Sequence, residues 1–173
     1  TTSTASWAVM AVRGQSLDDD WDLSVFGWPT GSASPTCLGN SLAGSGYSAG
    51  AVDLVAMDFN SSTEKQTRWA RAHHSGGPGT SGRAEWRFGV SPLVESDPSL
   101  AVHFGAQDLV RVFDANMTAG VTYTIEFDNP GGITALVFQN PGAGIWLGSR
   151  ASIAGSGTGT FTYTPTRTGD HAI

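Results

Sequence analysis

Apolar and polar residues alternate along much of this chain with a period of two. In the stretch 121–127, Val121, Tyr123, Ile125 and Phe127 fall on one side, and Thr122, Thr124 and Glu126 on the other. That is the pattern of a strand with one buried face. Short runs rich in Val, Ile, Phe, Tyr, Trp and Thr, bounded by Gly, Pro, Asn and Asp, predict further strands. They lie near Ser6–Arg13, Trp21–Phe26, Ala51–Phe59, Thr67–Ala72, Arg83–Gly89, Ala101–Phe104, Leu109–Phe113, Ile133–Gln139, Gly159–Thr164 and His171–Ile173. No segment keeps the i, i+3, i+4, i+7 apolar spacing of a helix between plausible caps. Strands recurring every 10–15 residues or so, with turn chemistry between them, predict an all-β sandwich or barrel, and an antiparallel β-sandwich of jelly-roll type is the architecture expected here.

Ser6–Arg13 departs from simple alternation. Trp7, Val9 and Ala11 on one face and Ala8, Met10 and Val12 on the other are all apolar. Such a strand needs cover on both sides, from a second sheet on one and from another domain or subunit on the other. Three stretches read as loops: Gly27–Gly50, Ser75–Gly82 and Pro141–Gly157. The second (SGGPGTSG) has the composition of a hairpin tip or loose loop. The third is Gly-rich but carries Ile145, Trp146, Leu147 and Ile153, so part of it must be packed.

Composition narrows the class. The 173 residues include 23 Gly and 8 Pro, and only 14% are charged, against about 25% in an average soluble domain. A coiled coil, a charged disordered tail and a collagen-like fibre are excluded. No apolar run approaches the ~20 residues of a membrane-spanning helix, so no membrane insertion is expected. The net charge of −6 gives no electrostatic reason to bind nucleic acid. The single cysteine, Cys37, cannot form a disulfide within the chain. It reads as a small apolar residue at a loop edge, with a crosslink between subunits or a reactive thiol as alternatives. Low Lys content with much Ser, Thr and Gly suggests an extracellular protein.

The last third carries a recognisable pattern. Ala119, Gly120, Tyr123 and Ile125 are followed by the apolar strand Leu136–Phe138, the loop Asn140-Pro141-Gly142, and a close through Phe161, Tyr163, Thr164, Pro165, Thr168, Gly169, Ala172 and Ile173. This resembles the bacterial pre-peptidase C-terminal domain, a β-sandwich module appended to many secreted peptidases and surface proteins. Trp7–Phe26 and Ala51–Asn60 are similar to a second, partial copy. The resemblance implies two related sandwich units packed together, 1–75 and 83–173, and an accessory role holding carbohydrate or protein near a secreted enzyme. In the family pattern the last strand continues beyond the point where Ile173 stands. That, together with the doubly apolar first strand, suggests terminal strands held by pairing within the fold or with a neighbouring copy, as in strand-addition filaments.

Catalytic motifs are weak. Gly46-Tyr47-Ser48-Ala49-Gly50 fits G-x-S-x-G, but a nucleophile elbow needs a helix after the serine and a strand is predicted there. Gly77–Gly82 fits G-x-G-x-x-G, again followed by a strand where dinucleotide binding needs a helix. His73 and His74 point to opposite faces of an extended segment and cannot share a metal. His103 and His171 show no zinc spacing. Glu64, Glu85, Glu95 and Glu126 offer no spacing that selects an acid–base pair. No catalytic residue is expected.

Binding chemistry is more visible. Asp18, Asp19, Asp20 and Asp22 crowd a turn between two strands, where calcium, a hard cation that takes carboxylate oxygens, would relieve their repulsion; a solvated acidic turn is the plainer alternative. Among six tryptophans, Trp28 and Trp146 fall in loops and are candidates for exposed contact or sugar stacking. Trp7 and Ile173 are candidate assembly contacts through the terminal strands. Asn60 and Asn116 begin N-x-S/T sequons. The expectation from the sequence is a non-catalytic extracellular structural subunit that assembles with copies of itself into a filament, tube or layer. The alternative is a glycan- or protein-binding accessory module.

Overall fold

Two strands of this chain are apolar on both faces, and they lie side by side. The computed structural model describes residues 7–27, 43–46, 48–58, 68–93, 104–105, 108–127, 133–142, 146–149 and 153–173. In chain order its strands are β1 (Trp7–Gly14), β2 (Asp20–Gly27), β3 (Ala43–Ser45), β4 (Asp53–Asp58), β5 (Arg68–Gly76), β6 (Gly82–Phe88), β7 (Val90–Leu93), β8 (Phe113–Met117), β9 (Tyr123–Glu126), β10 (Ala135–Gln139), β11 (Trp146–Ser149), β12 (Gly155–Gly157), β13 (Thr160–Tyr163) and β14 (Gly169–Ala172). No helix occurs among the described residues.

β1 and β4 pair antiparallel at the centre of a sheet ordered β11-β4-β1-β6, with Trp7 opposite Asp58 and Val12 opposite Asp53. One face of this sheet presents Val12, Val55 and Met57, which pack on Leu23 and Val25 of a second sheet, β3-β2-β5. The other face presents Trp7, Val9, Ala11, Leu54 and Ala56, which pack on Val112, Phe138 and Ala172. Phe138 and Ala172 belong to a third sheet, β12-β10-β14-β8-β7. The far side of that sheet contributes Ala115, Met117 and Val137 to a further core with Tyr163, Phe161, Tyr123 and Ile125 from the β13–β9 pair. The fold is therefore all-β, with antiparallel sheets stacked face to face; among the described residues only the β7–β8 pairing is parallel.

The double cover expected for the first strand is present, and both covering sheets come from the same chain. The expected division at 1–75 and 83–173 does not separate the sheets: β6 pairs with β1, and β11 pairs with β4. Ser75–Gly82 is no hairpin tip either. It carries the chain from β5 in the second sheet to β6 in the central one. Gly77 adopts φ +98° there, beside the backbone of Asp18 and Asp19, a conformation that disfavours any residue with a Cβ. Two predicted strands shift. Leu109–Val112 lies outside the ladders and β8 begins at Phe113, while the predicted strand at 101–104 is described only at Phe104, which is not in a strand.

The charged residues of β6 seal one side of the stack. Glu85 is buried, and a carboxylate in that position requires partners. It receives the Leu109 amide at 2.5 Å and pairs with Arg87 and Arg111. Asp108 bridges the same two arginines. The Gly105 amide, at 2.7 Å, holds the Asp108 carboxyl below the usual carboxylate range, with further help from Arg111 and Arg87. The network ties Gly105, Asp108, Leu109 and Arg111 to β6 and brings Leu109 and Val110 onto the core.

Trp7 is fully buried, which removes it from the expected assembly contacts. Its ring fills the space between the central and third sheets. Trp7→Ala is expected to lower unfolding free energy by about 3–5 kcal/mol, the cost of truncating a buried aromatic, as read by urea denaturation; a residue at a surface contact would leave the midpoint nearly unchanged.

Candidate functional site

The four aspartates of the β1–β2 turn separate into different roles. Asp18 is exposed. Asp19 is buried, and its carboxylate accepts the backbone amides of Ser16 at 3.1 Å and Gly79 at 2.6 Å. With the Gly50 amide donating to the Asp19 carbonyl at 3.0 Å, this residue joins three connections and acts as a structural tie. Neither Asp18 nor Asp19 belongs to a carboxylate cluster among the described residues, which corrects the four-aspartate set expected from the sequence.

Asp20 and Asp22 instead meet Asp53. One carboxylate oxygen from each lies within 4.8 Å of the others. Asp20 and Asp22 stand on β2, and Asp53 opens β4 in the neighbouring sheet. A register shift between Asp20 and Trp21 breaks the β2–β5 ladder at this point, and irregularities of this kind redirect side chains. Asp53 is buried and accepts the Ser45 hydroxyl at 2.8 Å. Oδ1 of Asp20 is buried with no hydrogen-bond partner among the described residues. Three carboxylates this close repel one another, and oxygen donors of this kind suit calcium, whose remaining ligands would be carbonyls or water. Asp53 was missed from sequence because it lies far from the turn, although a charged residue bounding an otherwise apolar strand is itself a signal.

A second polar site has no counterpart in the sequence reading. The ends of β4, β10 and β14 with the loops beside them enclose a cleft of about 110 Å³, lined by Asp58, Asn140, Arg167, Asp170 and His171 among others. Asp58 is fully buried and accepts the Asn140 amide at 2.7 Å; Asn140 in turn accepts the Gly142 amide at 2.8 Å. Gln139 is held on all sides. Its oxygen accepts the hydroxyls of Tyr163 at 3.1 Å and Thr166 at 2.9 Å, and its amide donates to the Arg167 carbonyl at 3.2 Å. Burial pushes the Tyr163 phenol up, which keeps it a donor.

His171 is 1% exposed, with Tyr163 edge-on to its ring at 5.9 Å between centroids. Nδ1 lies 2.9 Å from the Gly169 carbonyl. A carbonyl only accepts, so Nδ1 carries the proton and Nε2 of the neutral ring is an acceptor. Nε2 has no partner among the described residues. Burial pushes the imidazole pKa down, against the Gly169 carbonyl and the Asp170 and Asp58 carboxylates that pull it up.

The remaining candidates fall as follows. Ile173 exchanges both backbone hydrogen bonds with Phe113, each at 2.9 Å, and packs on the Val137 core. β14 lies between β10 and β8, so neither offers an open edge; this corrects the terminal-strand contact expected at Ile173. Trp146 stands at the register position opposite Asp58. Trp28, Cys37, His103 and Asn60 lie outside the described residues. Asn116 is exposed on β8 and donates to Asp170 at 3.2 Å. His73 is exposed, and His74 packs on Trp21 at 5.3 Å between ring centroids.

Two measurements test these sites. Asp22→Asn removes one of three like charges, so in chelator it is expected to raise stability by about 0.5–1 kcal/mol. Millimolar calcium should raise the wild-type Tm and leave that of Asp22→Asn and Asp20→Asn unmoved, while Asp18→Asn responds like wild type. For His171 the folded pKa lies below its ordinary 6.5, so the unfolded chain takes up the proton first. This contribution to stability is whole above the unfolded pKa and is lost as pH falls from there through the folded value. Urea midpoints between about pH 7.5 and pH 5.5 should fall in the wild type, and fall less in His171→Gln.

Comparison of the chain with family models, with curated proteins and with solved structures gives no match.

Proposed function

We propose that this chain is a non-catalytic, extracellular β-sheet building block that assembles with copies of itself by strand addition at β6. Calcium at Asp20, Asp22 and Asp53 would bridge the central and second sheets of each copy. The observation that carries the reading is the character of the sheet edges. Among the described residues, the edge strands are β11 and β6 of the central sheet, β3 and β5 of the second, β12 and β7 of the third, and both β9 and β13 of the two-stranded pair. β3, β7, β9, β11, β12 and β13 are short, none longer than 4 residues, and short edges are poor templates. β5 is long but places Arg71, His73 and Ser75 in solvent.

β6 combines length with apolar exposure. It pairs only with β1 among the described residues, and Trp86 and Phe88 stand together on it, 37% and 58% exposed, with ring centroids 6.0 Å apart. A long edge with two exposed aromatics is a surface for strand addition, where the backbone supplies hydrogen bonds and the rings supply buried area. The interior edge of β14 and the buried Trp7 leave the terminal route without support, and β6 takes its place.

Electron microscopy of purified protein over a range of concentrations, with solution mass measured alongside, tests the reading. Concentration-dependent association is expected, a closed dimer where β6 pairs with β6 of a second copy and a polymer where it pairs with a different edge, and Trp86→Lys and Phe88→Lys should reduce association at least about tenfold with Tm unchanged. A monodisperse monomer at every concentration would overturn self-assembly and favour the binding-module alternative.

A further inference from the structure

We propose that the cleft between the end of β4 and the β10–β14 pair is a binding site for a neutral, hydroxyl-rich ligand, the terminal sugar of a glycan. The proposal goes beyond self-assembly and does not depend on it. Asp170 brings a carboxylate to the cleft, Arg167, Thr168 and the Asn140 amide group bring donors, and the buried Asp58 and His171 also border it. Vicinal sugar hydroxyls both donate and accept, and so match a mixed wall of this kind. Two carboxylates oppose a phosphate or carboxylate ligand, and Arg167 opposes a metal cation. Asp58, Asp170 and His171 also do not bring ligand atoms together as a metal cluster does.

Hydrogen bonding beside the cleft is also incomplete. His171 is almost wholly buried, and its Nε2 lacks a partner among the described residues. A buried acceptor left unpaired is unfavourable; Nε2 is covered in the free chain, so a ligand hydroxyl meets it only where the cleft wall gives way. The polar side chains beside it are preorganised. Gln139 spends its hydrogen bonds on Tyr163, Thr166 and Arg167, and the Asn140 side chain is fixed between Asp58 and the Gly142 amide. Little side-chain entropy remains to be lost on binding. Finally, about 110 Å³ has room for a few water molecules. That is the space of two or three hydroxyls on one edge of a pyranose, which favours a terminal sugar entering edge-on, the rest of its chain in solvent.

The test uses the whole chain and NMR titration with glucose, galactose, mannose and N-acetylglucosamine in turn, each to about 50 mM, which reaches the millimolar affinities of a small polar site. At least one sugar should give saturable shifts at the His171 imidazole and the Gly169 and Asp170 amides. Asp170→Asn and Arg167→Ala, each checked for an unchanged melting curve, should weaken that binding about tenfold. No saturable shift with any of the four sugars would overturn the proposal. So would shifts at these positions with inorganic phosphate or calcium chloride in place of sugar, or sugar shifts that both variants leave intact.

Discussion

The rest of this structure depends on a central sheet that is apolar on both faces. Water cannot be left against either side of β1 and β4, because Val9, Ala11, Leu54 and Ala56 on one face and Val12, Val55 and Met57 on the other would together expose an extensive hydrophobic surface. A two-layer sandwich cannot satisfy such a sheet. The chain must supply two further layers, and it does so with strands drawn from its beginning, middle and end. The third sheet then has a far face of its own to cover, which is the place of β9 and β13. Each layer is imposed by the apolar surface of the one before it, until Glu126 and the threonines of the last pair meet solvent.

Much of this was legible because it is local. The period of two along Tyr123–Glu126 and the doubly apolar run at Trp7–Val12 follow from where successive side chains point, which a sequence shows directly. Partnership was less legible. β11 sits inside a Gly-rich stretch read as loop, where Trp146 and Leu147 announce packing but not a ladder with β4. Its strand character comes from a partner far away in sequence, and propensity yields to tertiary context. The same reason defeats a division of the chain near residue 80, since β6 follows a Gly-rich connection and yet returns to β1.

The aspartate cluster shows how crowding in sequence differs from crowding in space. Asp19 and Asp20 are neighbours in the chain, yet Asp19 turns into the Gly79 amide while Asp20 meets Asp53. Asp19 is used up inside the turn and Asp18 faces solvent, so the four nearby aspartates do not gather at one point. The missing carboxylate came from the partner sheet. The clue lay in β4, where Asp53 and Asp58 bound four apolar residues. A charge at the end of a buried strand needs a polar site to justify it, and here each of the two marks one: Asp53 the carboxylate cluster, and Asp58 the cleft beneath His171.

The placement of the two surfaces bears on how they would work together. β6 ends the central sheet, whereas Asp58 lies on β4, with β1 between them. Strands in a sheet sit about 4.8 Å apart, so a strand added outside β6 lies roughly 14 Å from β4. Addition at that edge therefore extends the sheet away from the cleft. The cleft also draws its other walls from β10, β14 and their loops in the third sheet, which strand addition at β6 leaves unchanged. An assembly built this way would carry one cleft per copy. Weak recognition of a single sugar by each copy would then combine through multivalency into firm attachment to a glycan-bearing surface. A structural subunit and a binding module, which the sequence presents as alternatives, are in this geometry compatible roles of one chain.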